Sequence, residues 1–349
     1  MQEMIKEYKR KIEDVLDEFF KEKIEYASRF GTEIKEAVEH LREYTLRGGK
    51  RLRAILMIKG YGLLKEENEE IVKASSSLEL IQSYLLIHDD IMDESELRRN
   101  GPTYHKIYEK KFKNKLGNYS ARFGENMAII AGDLADAYAK EILLKSNFPE
   151  DLKNRAVKKL TEIIEHTGYG QILDIFSSVK EDFGVEDLLK VHKLKTAIYT
   201  IDGPLQIGAI LAGGDEDYLR KISDYAIPVG IAFQIQDDIL GLFGEEDVIG
   251  KPVTSDLEEG KKTLHILYAM ENEEHREYIM SVLGKKNISR EELNKVREIV
   301  RKSGALARAE EFATKLVNDA LSALEKIDGR DEAKEFLRYI ANYVVKRRY

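Results

Sequence analysis

The chain has 349 residues, is 43% hydrophobic and 34% charged, carries a formal net charge of −8 and contains no cysteine. The missing cysteines exclude structural disulfides, thiolate metal sites and cysteine nucleophiles. The acidic balance argues against a general nucleic-acid surface but leaves room for a local basic site.

The N-terminal "MQEMIKEYKRKIEDVLDEFF" is charged throughout and lacks the apolar core of a signal peptide. Ile5, Tyr8, Ile12, Val15, Phe19 and Ile24 recur mostly at three- and four-residue steps, as on one helix face. Next comes "RGGKRLR", with Lys50, Arg51 and Arg53 behind two glycines that free the backbone to approach an anion. The apolar run "LELIQSYLLIH" then leads into "IHDDIMDESELRRNGPT", whose segment 94–103 reads as a loop. A second apolar segment, "IAFQIQDDILG", also ends in Asp-Asp and precedes a charged loop at 244–262. "SREELNKVREIVRKSG" opens with a capping box from Ser289 to Glu292. The five prolines permit long helices, and alternating patterns are scarce. The expected fold is all-α, with roughly ten or more helices, one domain over 1–349 and no linker. No stretch of about eighteen apolar residues occurs, so the sequence reads as soluble and cytoplasmic, without a transmembrane helix.

The two acidic segments suggest helices facing one cavity. Residues four apart share a helix face, so Asp89 and Asp93 project together while Asp90 turns roughly 100° away. Hard oxygen donors in this arrangement suit magnesium, which takes one or two carboxylates together with phosphate oxygens. Asp237 and Asp238 repeat the pair, but position 241 is Gly. Asp256, in "KPVTSDLEEGKKT", is a candidate to act through water. The basic residues form a second set: Lys50, Arg51, Arg53, Arg98, Arg99, Lys195, Lys251 and Lys261. Two diphosphates, one held with metal and one by Lys and Arg alone, explain both sets.

The motifs "GGKRLR", "HDDIMDESELRRNGPT", "AGD", "TGYGQILDI", "KLKTA", "FQIQDDILG" and "GKPVTSDLEEGKKT" occur in one order over about 40–349. In this combination the chain resembles the trans-isoprenyl diphosphate synthases, or polyprenyl synthetases. "TGYGQILD", "IDGPLQIGAILAGG" and "DDILGLFG" look most like the archaeal geranylgeranyl diphosphate synthase branch.

The resemblance implies a single isoprenoid synthase helical bundle around a central cavity. It implies about three magnesium ions: Asp89 and Asp93 hold two, with Asp90 in support, and Asp237 holds a third, supported through waters by Asp238 and Asp256. Arg98, Lys195 and Lys251 contact the allylic diphosphate, with Lys261 near it. Lys50, Arg53, Arg99 and Gln82 hold isopentenyl diphosphate. Lys195, Thr196 and Gln234 act at the reacting carbons. Lys346, Arg347 and Arg348, in the final "KRRY", resemble a basic tail that closes over the site. The DDxxG form of the second motif occurs in archaeal relatives, so it does not imply inactivity.

The implied reaction is ionisation of a dimethylallyl, geranyl or farnesyl diphosphate, attack by isopentenyl diphosphate and loss of a proton. The implied products are geranylgeranyl and farnesyl diphosphate. Tyr84, five residues before Asp89, lies about 7–8 Å deeper along the helix; in this family an aromatic residue there obstructs the growing tail. Leu85, beside it, is not aromatic. The substrates are small diphosphates, and a homodimer or higher homo-oligomer is expected.

A terpene cyclase shares the acidic motif, and Asp237, Asp238, Gly241 and Glu245 approximate its second metal motif. It needs only one diphosphate, however, and has no use for "GGKRLR". An inactive regulatory subunit is a further alternative, opposed by the retention of both acidic clusters. His166 and His275 do not complete the Glu-x-x-His pairs of a di-iron bundle.

Overall fold

The computed structural model describes residues 1–244 and 253–346. Among the described residues the fold is all-α apart from one hairpin of two two-residue strands, and the chain forms two compact units.

The first unit comprises residues 1–61 and 66–157. In order it holds α1 (Gln2–Ser28), α2 (Thr32–Leu46), α3 (Leu52–Gly62), α4 (Glu69–Met92), β1 (Leu97–Arg98), β2 (Gly101–Pro102), α5 (Tyr104–Leu116), α6 (Tyr119–Lys145) and the start of α7 (Glu150–Ser177). The boundary with the second unit falls one residue before the end of α3 and again inside α7. Helix α4 is its packing centre, against α6, α1, α2 and α5. Asn68 caps α4 by accepting from the Ile71 amide at 3.0 Å, a contact worth about 1 kcal/mol. The interior of α4 is unusually small: Ala74, Ser75, Ser76 and Ser77 are all fully buried. Ser75 and Ser77 turn their hydroxyls onto backbone carbonyls of the preceding turn, each at 2.7 Å, so no polar atom of these side chains lacks a bond. The buried Ala128, Ala131, Gly132, Ala135 and Ala139 give α6 a matching small face. Gly132 touches α4 itself, because a Cβ there would lie 2.3 Å from His88 Nε2. Small residues on both helices let the backbones approach, and close packing follows.

The second unit comprises residues 62–65 and 158–349. It contains the rest of α7, α8 (Val185–Val191), a π-helical segment His192–Asp202, α9 (Gly203–Leu211), α10 (Glu216–Phe243) and helices Ser255–Glu258, Leu264–Ala269, Glu273–Val282, Arg290–Lys302, Ala305–Leu324 and Asp331–Lys346. Helix α10 is the centre here, against Ala305–Leu324, the π segment, α9 and Asp331–Lys346. Its N-cap Asp215 accepts from the Tyr218 amide at 2.8 Å, and the buried Tyr225 hydroxyl donates to the Leu337 carbonyl at 2.8 Å. Among the described residues α10 is the one helix long and apolar enough to cross a membrane; 61% of that stretch is buried in the fold, as a core helix requires.

Two features depart from the expected elements. Segment 94–103 is not all loop: Leu97 pairs with Pro102 and Arg98 with Gly101. Part of 244–262 is helical at Ser255–Glu258.

Candidate active site

The first acidic motif straddles the end of α4. Asp93 is the C-cap, and its amide donates to the Asp89 carbonyl at 2.8 Å, so the two residues are one turn apart. Asp93 is exposed and Asp89 half-buried. Asp90 is fully buried. Its Oδ2 accepts from the Tyr44 hydroxyl at 2.7 Å, and its Oδ1 accepts from Arg98 Nε at 2.8 Å. Burial pushes the Asp90 carboxyl upward while the Arg98 guanidinium and Tyr44 hydroxyl pull the other way. Asp90 is thus turned inward, and the contact it offers the anion-binding side runs through Arg98, which it orients.

The turn after α4 is built around arginines. Arg99 and Asn100, the two loop residues of the hairpin, have φ of 51° and 62°. Positive φ at both positions matches the right-handed twist of a tight hairpin. Asn tolerates that region readily and Arg does not. The Arg99 side chain anchors the turn by donating to the Arg47 carbonyl at 3.0 Å and the Gly48 carbonyl at 2.9 Å. Arg47 in turn donates to the Arg98 and Pro102 carbonyls, at 3.0 and 2.8 Å. Gly49, at φ 106°, lies under the Arg99 guanidinium, which a Cβ would meet at 3.1 Å. "RGG" and "RRNG" are thus interlocked.

Three residues assigned to one substrate converge here. With its amide oxygen turned toward the donors around it, Gln82 accepts from Arg99 Nη2 at 3.3 Å and from Arg53 Nη1 at 3.2 Å. Burial, then Arg51 and Arg53, push the Arg99 guanidinium below its ordinary range. Such crowded like charges favour an anion among them. Lys50 is exposed nearby in sequence. Arg51 belongs to the framework instead: it is 3% exposed and donates to Glu79 at 3.1 Å, Glu13 at 3.1 Å and the Thr45 carbonyl at 2.9 Å.

Tyr84 is half-buried, edge-on to His88 with ring centroids 4.9 Å apart. Burial, then Asp136 and Asp133 of α6, push its phenol upward. Leu85 is half-buried beside it.

In the second unit, the π segment carries Lys195 and Thr196. It sits between two glycines: a Cβ at Gly170 of α7 would lie 2.4 Å from the Lys195 amide nitrogen, and one at Gly230 of α10 would lie 2.5 Å from Ala197 Cα. Lys195 Nζ donates to Asp174 Oδ2 at 2.6 Å. Thr196 Oγ1 donates to Gln234 Oε1 at 2.8 Å, and Gln234 Nε2 donates to Asp238 Oδ1 at 2.7 Å. Asp237 is half-buried on the same helix. Gly241 has a spatial explanation. Asp256 Oδ2 lies 2.3 Å from where its Cβ would stand, so a carboxylate from the next segment occupies that side-chain position. Lys261 Nζ lies 3.7 Å from Asp256 Oδ1 and 2.5 Å from Glu259 Oε2. Lys251, Glu245, Arg347 and Arg348 lie outside the described residues; Lys346 ends the last described helix.

Sequence reasoning missed Tyr44, Arg47, Asp174 and His192. Arg47 and Asp174 stand inside the quoted motifs, whereas Tyr44 and His192 carried no separate signal.

Among the described residues, no three His, Asp or Glu side chains converge tightly enough to cage a metal. Asp89 and Asp93 at one helix end, and Asp237 one turn before the Gly241 that Asp256 abuts, nevertheless fit magnesium that is completed by phosphate oxygens and water.

The model of the polyprenyl synthetase family matches residues 35–300. The chain belongs to that family. It is 33% identical to a geranylgeranyl diphosphate synthase of Saccharolobus solfataricus, over 92% of both chains. It is 35% identical to a geranylfarnesyl diphosphate synthase of Aeropyrum pernix, over 86% of this chain and 91% of that one. A crystal structure of geranylgeranyl pyrophosphate synthase from Corynebacterium glutamicum, complexed with isoprenyl diphosphate and magnesium, superposes with a TM-score of 0.91 at 32% identity, covering 98% and 99% of the two chains.

Proposed function

We propose that this protein is a prenyltransferase that condenses isopentenyl diphosphate with allylic diphosphates to make geranylgeranyl diphosphate, with farnesyl diphosphate alongside. The observation that carries the reading is the presence, in one unit, of two separate anion-directed groups. One is the carboxylate pair Asp89 and Asp93; the other is the metal-independent cluster of Arg53, Arg99 and Gln82. A one-substrate cyclase has no need of the second. The relatives named for geranylgeranyl diphosphate support the same class.

In this reading Asp89, Asp93 and Asp237 hold about three magnesium ions, with Asp256 and Asp238 in support. Magnesium bound there neutralises the diphosphate leaving group. Arg98, aimed by Asp90, and Lys195, tethered by Asp174, bind the allylic diphosphate together with Lys251 and Lys261. Lys50, Arg53, Arg99 and Gln82 hold isopentenyl diphosphate. Thr196 and Gln234 present oxygens to the allylic cation. The proton lost after condensation goes to the released diphosphate. We read the chain as a single isoprenoid synthase domain, a reading that the helix α7 shared by both units supports.

We also place the protein in the cytoplasm as a homodimer. Support for self-association comes from the exposed apolar residues Tyr169, Ile172, Leu173 and Phe176, which recur at helical spacing on α7.

Mass analysis of the products made from each allylic primer tests the reading. The parent protein is expected to stop at geranylgeranyl diphosphate, and Tyr84→Ala to yield longer chains. Unchanged length in Tyr84→Ala removes Tyr84 as the floor; no elongation by the parent removes the function.

A further inference from the structure

A line of polar contacts in the second unit runs from a buried histidine to the side chains read as cation-stabilising. His192 opens the π segment and is 4% exposed. Its Nε2 lies 3.2 Å from Asp238 Oδ2. The other Asp238 oxygen, Oδ1, accepts from Gln234 Nε2, and Gln234 Oε1 accepts from Thr196 Oγ1. His192 and Thr196 are four residues apart on one segment, and Gln234 and Asp238 four apart on α10. The two pairs close a quartet between elements that Gly230 brings into contact.

The quartet fixes the polarity of the Gln234 amide. An amide presents an acceptor at one end and donors at the other. The Thr196 hydroxyl both donates and accepts, so it tolerates either orientation. An ionised Asp238 only accepts, so it rejects the amide with its oxygen toward the carboxylate. Asp238 is therefore the group that keeps the Gln234 oxygen on the Thr196 side. Its own carboxylate plane is braced on the far side by His192.

We propose that His192 is a positioning residue, which holds Asp238 so that Gln234 meets the allylic cation with its oxygen rather than its NH₂ group. The proposal rests on the reading of Thr196 and Gln234 as the pair beside the reacting carbons. A preorganised carbonyl dipole stabilises developing positive charge, and an inverted amide opposes it. The same contacts explain the conjunction of a buried His with the second Asp of a motif whose first Asp is the one read as a metal ligand.

The test is calorimetric binding of two non-reacting allylic analogues, with magnesium, to the parent protein, His192→Leu and His192→Gln. One analogue is a thiolodiphosphate with a neutral chain; the other carries an ammonium nitrogen in place of the cationic carbon. In His192→Leu the ammonium analogue is expected to bind about tenfold more weakly, while the thiolodiphosphate stays within about twofold of the parent. His192→Gln, which keeps a polar group against Asp238, is expected to recover most of the loss. Unchanged ammonium affinity in His192→Leu overturns the proposal, as does an equal loss for both analogues. If the parent protein itself shows no preference for the ammonium analogue, the reading of Thr196 and Gln234 fails first, and the proposal with it.

Discussion

Gly241 is where a single residue carries the most information. Its hydrogen stands where the Asp256 carboxylate needs room, so the departure from an acidic residue at this position is a packing requirement. Gly241→Ala places a methyl group against a charged oxygen at 2.3 Å. Overpacking of this kind costs about 1–3 kcal/mol and is relieved by displacing the movable partner, here Asp256. Turnover is expected to fall at least about tenfold by steady-state kinetics, with a small loss in melting temperature. A variant as active as the parent shows that Asp256 has no need of its present position. Asp90 makes the complementary point. Helix spacing turns it away from Asp89 and Asp93, but its bonds to Tyr44 and Arg98 are invisible to spacing along one helix.

At the scale of elements, the helices were legible and their irregularities were not. The Ser289–Glu292 capping box appears as read: the Glu292 amide donates to Ser289 Oγ at 3.2 Å and the Ser289 amide to Glu292 Oε2 at 2.9 Å. Helix α1 forms, but its most buried face is Ile12, Leu16, Phe20 and Ala27, of which the periodicity names only Ile12. The Gly, Pro and charged residues of 94–103 read as loop, and the hairpin turn is Arg-Asn rather than the Asn-Gly that announces such turns. Its stability comes from Arg47, fifty residues away in the chain, which no local pattern reports. The π segment was equally hidden, since its side chains also suit an α-helix. Gly170 is the device that seats it. Gly170→Ala drives a Cβ to 2.4 Å from the Lys195 amide nitrogen, a backbone atom that cannot rotate aside. We expect a destabilisation of about 1–3 kcal/mol by denaturant unfolding, with turnover reduced through Lys195 and Thr196. Parent-like stability and turnover together mean that the close approach is unnecessary.

At the scale of the molecule, burial of a titratable group sets a pH limit. His265 is 1% exposed, and burial holds its imidazole down to about 4, against the opposing fields of Asp238 and Asp256. The unfolded chain then binds a proton near pH 6.5 that the folded chain refuses. Stability from this group is complete above about pH 6.5 and is lost as pH falls toward 4, by roughly 3 kcal/mol. Urea unfolding at pH 7, 5.5 and 4 is expected to show that loss, and a His265→Gln variant to show a flatter profile. Equal slopes for both proteins exclude the histidine as the cause.

The proposed activity requires two diphosphates. Purified protein with magnesium is incubated with geranyl diphosphate, with and without isopentenyl diphosphate, and the products are separated by chromatography. Geranyl diphosphate is expected to remain intact alone and to be elongated when isopentenyl diphosphate is added. Its conversion to a cyclic hydrocarbon or alcohol without isopentenyl diphosphate would contradict the account.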